Sequence, residues 1–217
     1  MTITVYGHSA SSYTIIVFYV LKELGLSYEY YQTTSEEIKS PEYLATKHSF
    51  GKIPSLNDDG FQIYETRAIA RYLIKKYQGA KTSNVLIPSD VQKAALVEQF
   101  ISVGTSYYTE SLIKLLAQVI GMKKQGNEPD LKIANEAREE LGKTLDVYEK
   151  LLEGKDYLAG EFSLADLLHI PLTFYAIKAG EGDLWNKRPN VLRWWKNIGE
   201  RECWKNIVTE YKLDDVV

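Results

Sequence analysis

The run Ile53-Pro-Ser-Leu-Asn-Asp-Asp-Gly60-Phe-Gln-Ile-Tyr-Glu-Thr-Arg-Ala-Ile-Ala-Arg-Tyr-Leu73 decides the fold. Two short pieces, Ile53 to Leu56 and Phe61 to Ile63, flank the turn cluster Asn57-Asp-Asp-Gly60, the composition of a β-hairpin. A helix follows over Glu65 to Tyr77, with Ala68, Ile69, Tyr72 and Leu73 at three-four spacing and Gly79 behind it. Upstream, Thr2 to Tyr6 alternates as a strand and Gly7 breaks it. Ser12 to Leu24 reads as a helix packed on Ile15, Ile16, Tyr19 and Val20, with Gly25 as its stop. Ser27 to Tyr31 reads as a second strand, and Ser35 to about Thr46 as a short helix containing Pro41. The order is β-α-β-α-β-β-α.

No convincing strand follows residue 80. Helical periods run from about Ser89 to Met122, Pro129 to Leu152, Ser163 to Ala179 and Asn190 to Glu200. In the second, Ala134, Ala137, Leu141, Leu145, Tyr148 and Leu152 form one stripe. The expectation is two domains: an α/β unit over residues 1–79, a linker over 80–89, and an all-helical unit over 90–217.

Composition narrows the function classes. Lys and Arg total 26 against 29 Asp and Glu, a net charge of −3, which argues against a nucleic-acid partner. A single cysteine, Cys203, excludes an internal disulfide and a multi-cysteine zinc site, and it reads as buried packing. His8, His48 and His169 lack metal-ligand spacing, so no metal is expected. The apolar-looking run Tyr13 to Leu21 falls short of the roughly 20 residues that span a bilayer, and the N-terminus has no signal-peptide pattern. A cytoplasmic protein without a membrane partner is the expectation. Sixteen tyrosines stand against 6 phenylalanines and 4 tryptophans, a bias toward rings with a polar tip.

Several local signals carry chemistry. Ser11 and Ser12 stand at the start of the first helix, where N–H groups and a hydroxyl can stabilise a thiolate; taken alone this is a serine N-cap. Pro54, if cis, would turn the Ile53 backbone outward from an edge strand to pair with an extended peptide. Glu65-Thr66 opens a helix whose free N–H groups suit a ligand carboxylate, with Glu65 suited to a ligand ammonium. Lys39 and Lys52 could flank a small dianion. Ser163-Leu-Ala-Asp166 is a capping box with a structural task.

In this order the segments resemble a glutathione transferase, with the serine-type phi class, in a fungal-like form, as the nearest pattern. The resemblance rests on Val5-Tyr-Gly-His8 with Ser11 and Thr14, Lys39-Ser-Pro-Glu-Tyr-Leu44, Phe50-Gly-Lys-Ile-Pro54 and Asp58-Asp-Gly-Phe61. It continues through Tyr64-Glu-Thr-Arg-Ala-Ile-Ala-Arg-Tyr-Leu73, Tyr157-Leu-Ala-Gly160, Phe162-Ser-Leu-Ala-Asp166, His169-Ile-Pro171, Arg188-Pro189 and Arg193-Trp-Trp195. It implies a thioredoxin-like N-terminal domain that binds glutathione and an all-α C-terminal domain that contributes the electrophile pocket. Glutathione would be a co-substrate, with no tightly bound cofactor, and the electrophiles small and hydrophobic.

The resemblance implies that Ser11 activates the thiol and that Ile53, before a cis Pro54, pairs with the cysteinyl backbone. Glu65 and Thr66 would hold the γ-glutamyl group, and Lys39 and Lys52 would face the glycine carboxylate. Ser12, Tyr107 and Tyr108 would line the electrophile pocket, and Phe50 would dock into a second subunit of a homodimer. Departures from the pattern are Ile38 in place of a histidine, Ile15-Ile16 in place of a basic pair, His48-Ser49 in place of Asn-Pro, and Thr109-Glu110 after the aromatic pair. The function implied is conjugation of glutathione to hydrophobic electrophiles in detoxification. Alternatives are glutathione-dependent hydroperoxide reduction and a non-catalytic ligand carrier, and Tyr6 is a rival to Ser11 as the activating group.

Overall fold

A computed structural model describes residues 2–216. Its first part comprises β1 (Ile3–Gly7), α1 (Ser12–Glu23), β2 (Glu29–Gln32), a 3-10 turn (Glu37–Lys39), α2 (Pro41–Thr46), β3 (Ser55–Asp58), β4 (Phe61–Tyr64) and α3 (Thr66–Tyr77). The sheet order is β2-β1-β3-β4, with β1 parallel to β2 and β3 antiparallel to both its neighbours. Val5 pairs with Tyr30 on one side and Leu56 on the other, and Val5 and Leu56 are wholly buried. The β-α-β-α-β-β-α order read from the sequence is present, in the thioredoxin-like arrangement that the resemblance implies.

Three local readings change. Pro41 does not sit inside one helix: it is the first residue of α2, where its missing N–H costs nothing, and Ser40 caps it by accepting from Tyr43 N at 3.1 Å. β3 is a central strand and not an edge, so Pro54 lies just before it and not along an exposed ladder. Residues beyond 79 are also no simple linker. Thr82 Oγ1 donates to the Glu23 carbonyl at 2.8 Å, Asn84 Nδ2 donates to Glu23 Oε2 at 2.8 Å, and Leu86 is fully buried. The first compact unit accordingly runs to Leu86 and also takes in Asn206–Leu213.

That distant segment explains α1. The helix is buried all round from Thr14 to Leu21, more than one packed side requires. Tyr211 stacks on Phe18 with centroids 4.5 Å apart, Tyr28 stacks on it at 5.4 Å, and the Tyr28 and Tyr211 hydroxyls are 2.7 Å apart.

The second unit holds α4 (Val91–Val103), α5 (Thr109–Leu116), α6 (Leu131–Leu151), α7 (Leu164–Leu167), α8 (Ile170–Ala176), α9 (Asp183–Asn186) and α10 (Pro189–Gly199). The last helix, α11 (Glu202–Glu210), begins in it. The period from Ser89 to Met122 resolves into α4 and α5 with wide π-type turns over Gly104–Tyr108 and Ala117–Met122. The α6 stripe is buried as expected, from Ala134 to Leu152. Asp166 anchors this core: it accepts from Ser163 N, Leu158 N and Trp194 Nε1 at 2.9–3.0 Å. Cys203 is half-exposed, not buried as its sequence context suggests. No helix among the described residues is long and apolar enough to cross a membrane.

Asp58 performs the matching task in the sheet. The hairpin turn after it places Asp59 and Gly60 at φ 53° and 96°, the pair of left-handed residues a two-residue hairpin needs. Its own side chain is buried and accepts from Tyr72 Oη at 2.6 Å, Lys76 Nζ at 2.7 Å and Tyr77 Oη at 2.8 Å. Burial alone would raise its pKa; the Lys76, Tyr72 and Tyr77 donors outweigh that and lower it below the usual 3.8. A depressed carboxyl contributes stability above its unfolded value, and that contribution is lost as pH falls through its folded value. Asp58→Asn is expected to cost about 2–3 kcal/mol at pH 7, the worth of hydrogen bonds to a buried charge. Denaturant midpoints of wild type and variant should converge below pH 4, which urea titrations across pH 2–7 would measure.

Candidate functional site

The site begins where β1 meets α1. A Cβ on Gly7 would lie 2.5 Å from Thr14 Oγ1, so only glycine lets the first turn of α1 close onto the strand end. Ser11 N donates to His8 O at 2.9 Å, and Ser11 has the extended φ and ψ of an N-cap, −79° and 118°. Its Oγ accepts weakly from Thr14 N at 3.5 Å, which leaves the O–H proton available to a ligand. The free N–H groups and the positive end of a twelve-residue helix point the same way.

Ser11 opens onto a cavity of about 560 Å³ whose lining includes His8, Gln32, Thr34, Ile38 and Ile53. The Ile53–Pro54 peptide is cis, as the sequence reading requires. Ser11 and Ile53 are thus brought to one wall, together with Ile38, the residue standing where the family pattern has histidine. Pro54 is buried behind it. Tyr43 Oη donates to the Lys52 carbonyl at 2.9 Å and ties α2 to this loop.

Thr66 is the buried first residue of α3, and its hydroxyl reaches Tyr13 O at 3.5 Å, which sets the starts of α3 and α1 beside each other. Glu65, before it, has an exposed carboxylate and a left-handed backbone, φ 74° and ψ 113°. Behind Glu65 the ring of His48 is buried and stacked on Tyr64 at 4.2 Å, with Nε2 3.8 Å from Glu65 Oε1. Burial lowers the His48 pKa, with Glu65 opposing, which favours the neutral ring at neutral pH. Lys39 ends the 3-10 turn and Lys52 follows Gly51; both are exposed, and neither lines the cavity.

Other expectations fare differently. Ser12 is the half-buried first residue of α1. Tyr107 is 64% exposed, but Tyr108 is core: its hydroxyl lies 2.6 Å from Thr173 Oγ1 and accepts from Trp185 Nε1 at 3.2 Å. Tyr108 therefore does not present its ring to a pocket, because that polar tip is committed inside the helical unit. Tyr6 lines a different concavity, under Lys47, and not the Ser11 cavity. Sequence reasoning missed the buried His48 ring beside Glu65, and also the lining from Gln32 to Ser35. A loop without periodicity offers no signal for either.

Two family signatures cover most of the chain: "Glutathione S-transferase, N-terminal domain" over residues 5–81 and "Glutathione S-transferase, C-terminal domain" over residues 108–202. The chain belongs to the glutathione S-transferase family. It is 37% identical to glutathione S-transferase F10 of Arabidopsis thaliana over 98% of this chain and 99% of that one. Among solved structures, glutathione transferase F7 from Populus trichocarpa superposes with a TM-score of 0.90 at 33% identity, covering 96% of this chain and 99% of that chain. Glutathione S-transferase I from maize ("Mais"), solved with an atrazine glutathione conjugate, superposes with a TM-score of 0.89 at 31% identity, covering 97% and 98% of the two chains. The relatives of the F series are of the phi class that the sequence resembles.

The backbone at Glu65 yields a direct test. In most of the chain glycine is less stable than alanine, but at φ 74° the order reverses, because a Cβ there costs on the order of 1–3 kcal/mol. Glu65→Gly is expected to be more stable than Glu65→Ala by about 1 kcal/mol in equilibrium denaturation.

Proposed function

We propose that this transferase activates the thiol of glutathione at Ser11 and conjugates it to small hydrophobic electrophiles, as a cytoplasmic detoxifying enzyme. The observation that carries the proposal is one cavity bounded by the capped start of α1 and by the Ile53 peptide. Glutathione is a peptide with a thiol, an amine and two carboxylates, and each group has a counterpart. The Ile53 backbone would pair with the cysteinyl residue. The Thr66 hydroxyl and the free N–H groups of α3 would take the γ-glutamyl carboxylate, and Glu65 its ammonium. Lys39 and Lys52 would attract the glycine carboxylate by charge, with Ile38 supplying no hydrogen bond there.

The chemistry follows from the same geometry. A free thiol has a pKa of about 8.5, so only about 3% is thiolate at pH 7. A hydrogen bond from Ser11 Oγ and the positive end of α1 stabilise the anion and not the thiol, which lowers that pKa. A drop of about two units would bring roughly three quarters of the bound thiol to the nucleophilic form. The thiolate then attacks the electrophilic carbon: the C–S bond forms, the leaving group departs with its electron pair, and the thiol proton passes to solvent. The protein supplies no covalent nucleophile of its own, which agrees with the absence of a cysteine at the start of α1.

Ser11→Ala is expected to return the bound thiol toward its free pKa, read by thiolate absorbance in a pH titration. It should also lower kcat/KM on a chloronitroarene by on the order of 10²-fold, the worth of one donor to a developing anion. An unshifted thiol pKa in the wild type would overturn the proposal, as would full activity in Ser11→Ala. Tyr6→Phe is expected to retain activity.

The same reading includes a homodimer, supported by Phe50, a phenylalanine that is 72% exposed beside His48 and Tyr64. Phe50→Ala is expected to shift sedimentation toward the monomer while glutathione affinity changes little.

A further inference from the structure

A second concavity lies between β2, the 3-10 turn and α2, with a volume of about 290 Å³. Three tyrosine rings, Tyr6, Tyr31 and Tyr43, and two carboxylates, Glu37 and Glu42, form its walls. None of these five groups takes part in the glutathione contacts proposed above. The volume is just below the range of about 300–1,000 Å³ that encloses drug-sized ligands, so an occupant would be small.

The rings of Tyr6 and Tyr31 stand 5.7 Å apart at 50°, a tilted pair in which Tyr31 is half exposed. Lys47 Nζ lies over the Tyr6 face, 4.2 Å from the ring centroid, and forms no ion pair among the described residues. Aromatic faces attract cations through the ring quadrupole, and this one already holds an ammonium.

Two further groups point to a ligand. Thr33 is 3% exposed, its Oγ1 has no hydrogen-bond partner, and it stands between this concavity and the Ser11 cavity, lining both. Leaving such a hydroxyl unsatisfied costs about 1–3 kcal/mol, which a ligand atom would recover. Glu42, in the first turn of α2, makes no ion pair among the described residues. Glu37 accepts from Thr34 N and Tyr31 Oη, each at 2.7 Å. Those bonds hold its carboxyl below the usual carboxylate range, so it is an anion at neutral pH. The lining therefore carries two negative charges against the single positive charge of Lys47. An anionic ligand would meet both carboxylates, whereas a cation meets ring faces, carboxylates and an uncommitted hydroxyl oxygen.

We propose that this concavity binds a small organic ammonium ion, with the Lys47 side chain as an intramolecular competitor for the face of Tyr6. The site shares Thr33 with the Ser11 cavity, but its rings, its carboxylates and Lys47 lie outside that lining, and it does not depend on the Ser11 chemistry.

The competition gives the test a distinctive sign. The full chain, labelled with ¹⁵N, is titrated with benzyltrimethylammonium and separately with benzoate, and backbone amide shifts are followed. Saturable shifts confined to the Tyr31–Lys47 region are expected with the ammonium and not with benzoate. Removing the competitor by Lys47→Ala should tighten ammonium binding about two- to fivefold, and Glu42→Gln should weaken it by a similar factor. Both side chains reach the surface, so neither variant threatens the fold. The proposal is overturned by non-saturable or dispersed shifts, by benzoate binding as well as the ammonium, or by weaker ammonium binding in Lys47→Ala. Unchanged affinity in Glu42→Gln would equally overturn it.

Discussion

The contact between Gly7 and Thr14 is the constraint on which the rest depends. With no side chain at Gly7, the first turn of α1 can lie directly on the end of β1, and His8 N reaches Thr14 Oγ1 at 3.4 Å. That closure points the helix start, and Ser11 with it, into the cavity shared with Ile53. It also brings Tyr13 within reach of Thr66, so the starts of two helices converge. An added methyl group at Gly7 would separate helix from strand and disperse the anion-stabilising groups together.

The excess of tyrosines has a physical account in the way ring tips are used. Tyr72 and Tyr77 donate to Asp58, Tyr43 to the Lys52 carbonyl, Tyr31 to Glu37, and Tyr28 meets Tyr211. In the helical unit, Tyr108 meets Thr173, and Tyr148 meets His169 Nε2 at 3.1 Å. Except at the exposed Tyr31–Glu37 pair, the ring fills apolar space while the hydroxyl satisfies a buried or half-buried polar group. Phenylalanine would fill the same space and leave those partners unmatched. These eight of the sixteen tyrosines are thus cross-links between elements, and Tyr6, Tyr31 and Tyr43 share the second concavity.

What could be read from the amino-acid order follows from the range of each interaction. The ββα run from Ile53 to Leu73, the α6 stripe and the Asp166 capping box are local patterns, and each appears as read. Pro41 was legible as a helix residue but not as a helix start, because Ser40 and Lys39 give a weak stop signal. The burial of Tyr108 was not legible: an aromatic pair on a helix looks the same whichever ring turns inward, and the choice rests on Thr173 and Trp185, more than sixty positions away. At the site, Ser11, Ile53 and Glu65 were readable from helix starts and a proline. The neutral His48 behind Glu65 depends on tertiary stacking and left no local trace.

The first compact unit is discontinuous in the chain, since Asn206–Leu213 completes it. Phe18 receives the Tyr211 ring from a residue almost two hundred positions later. During synthesis from the N-terminus, α1 would therefore emerge with part of its apolar surface uncovered, and it would stay so until the last helix left the ribosome. Folding of this unit is tied to synthesis of the Asn206–Leu213 segment, so a chain stopped before residue 206 would lack the piece that closes its first core.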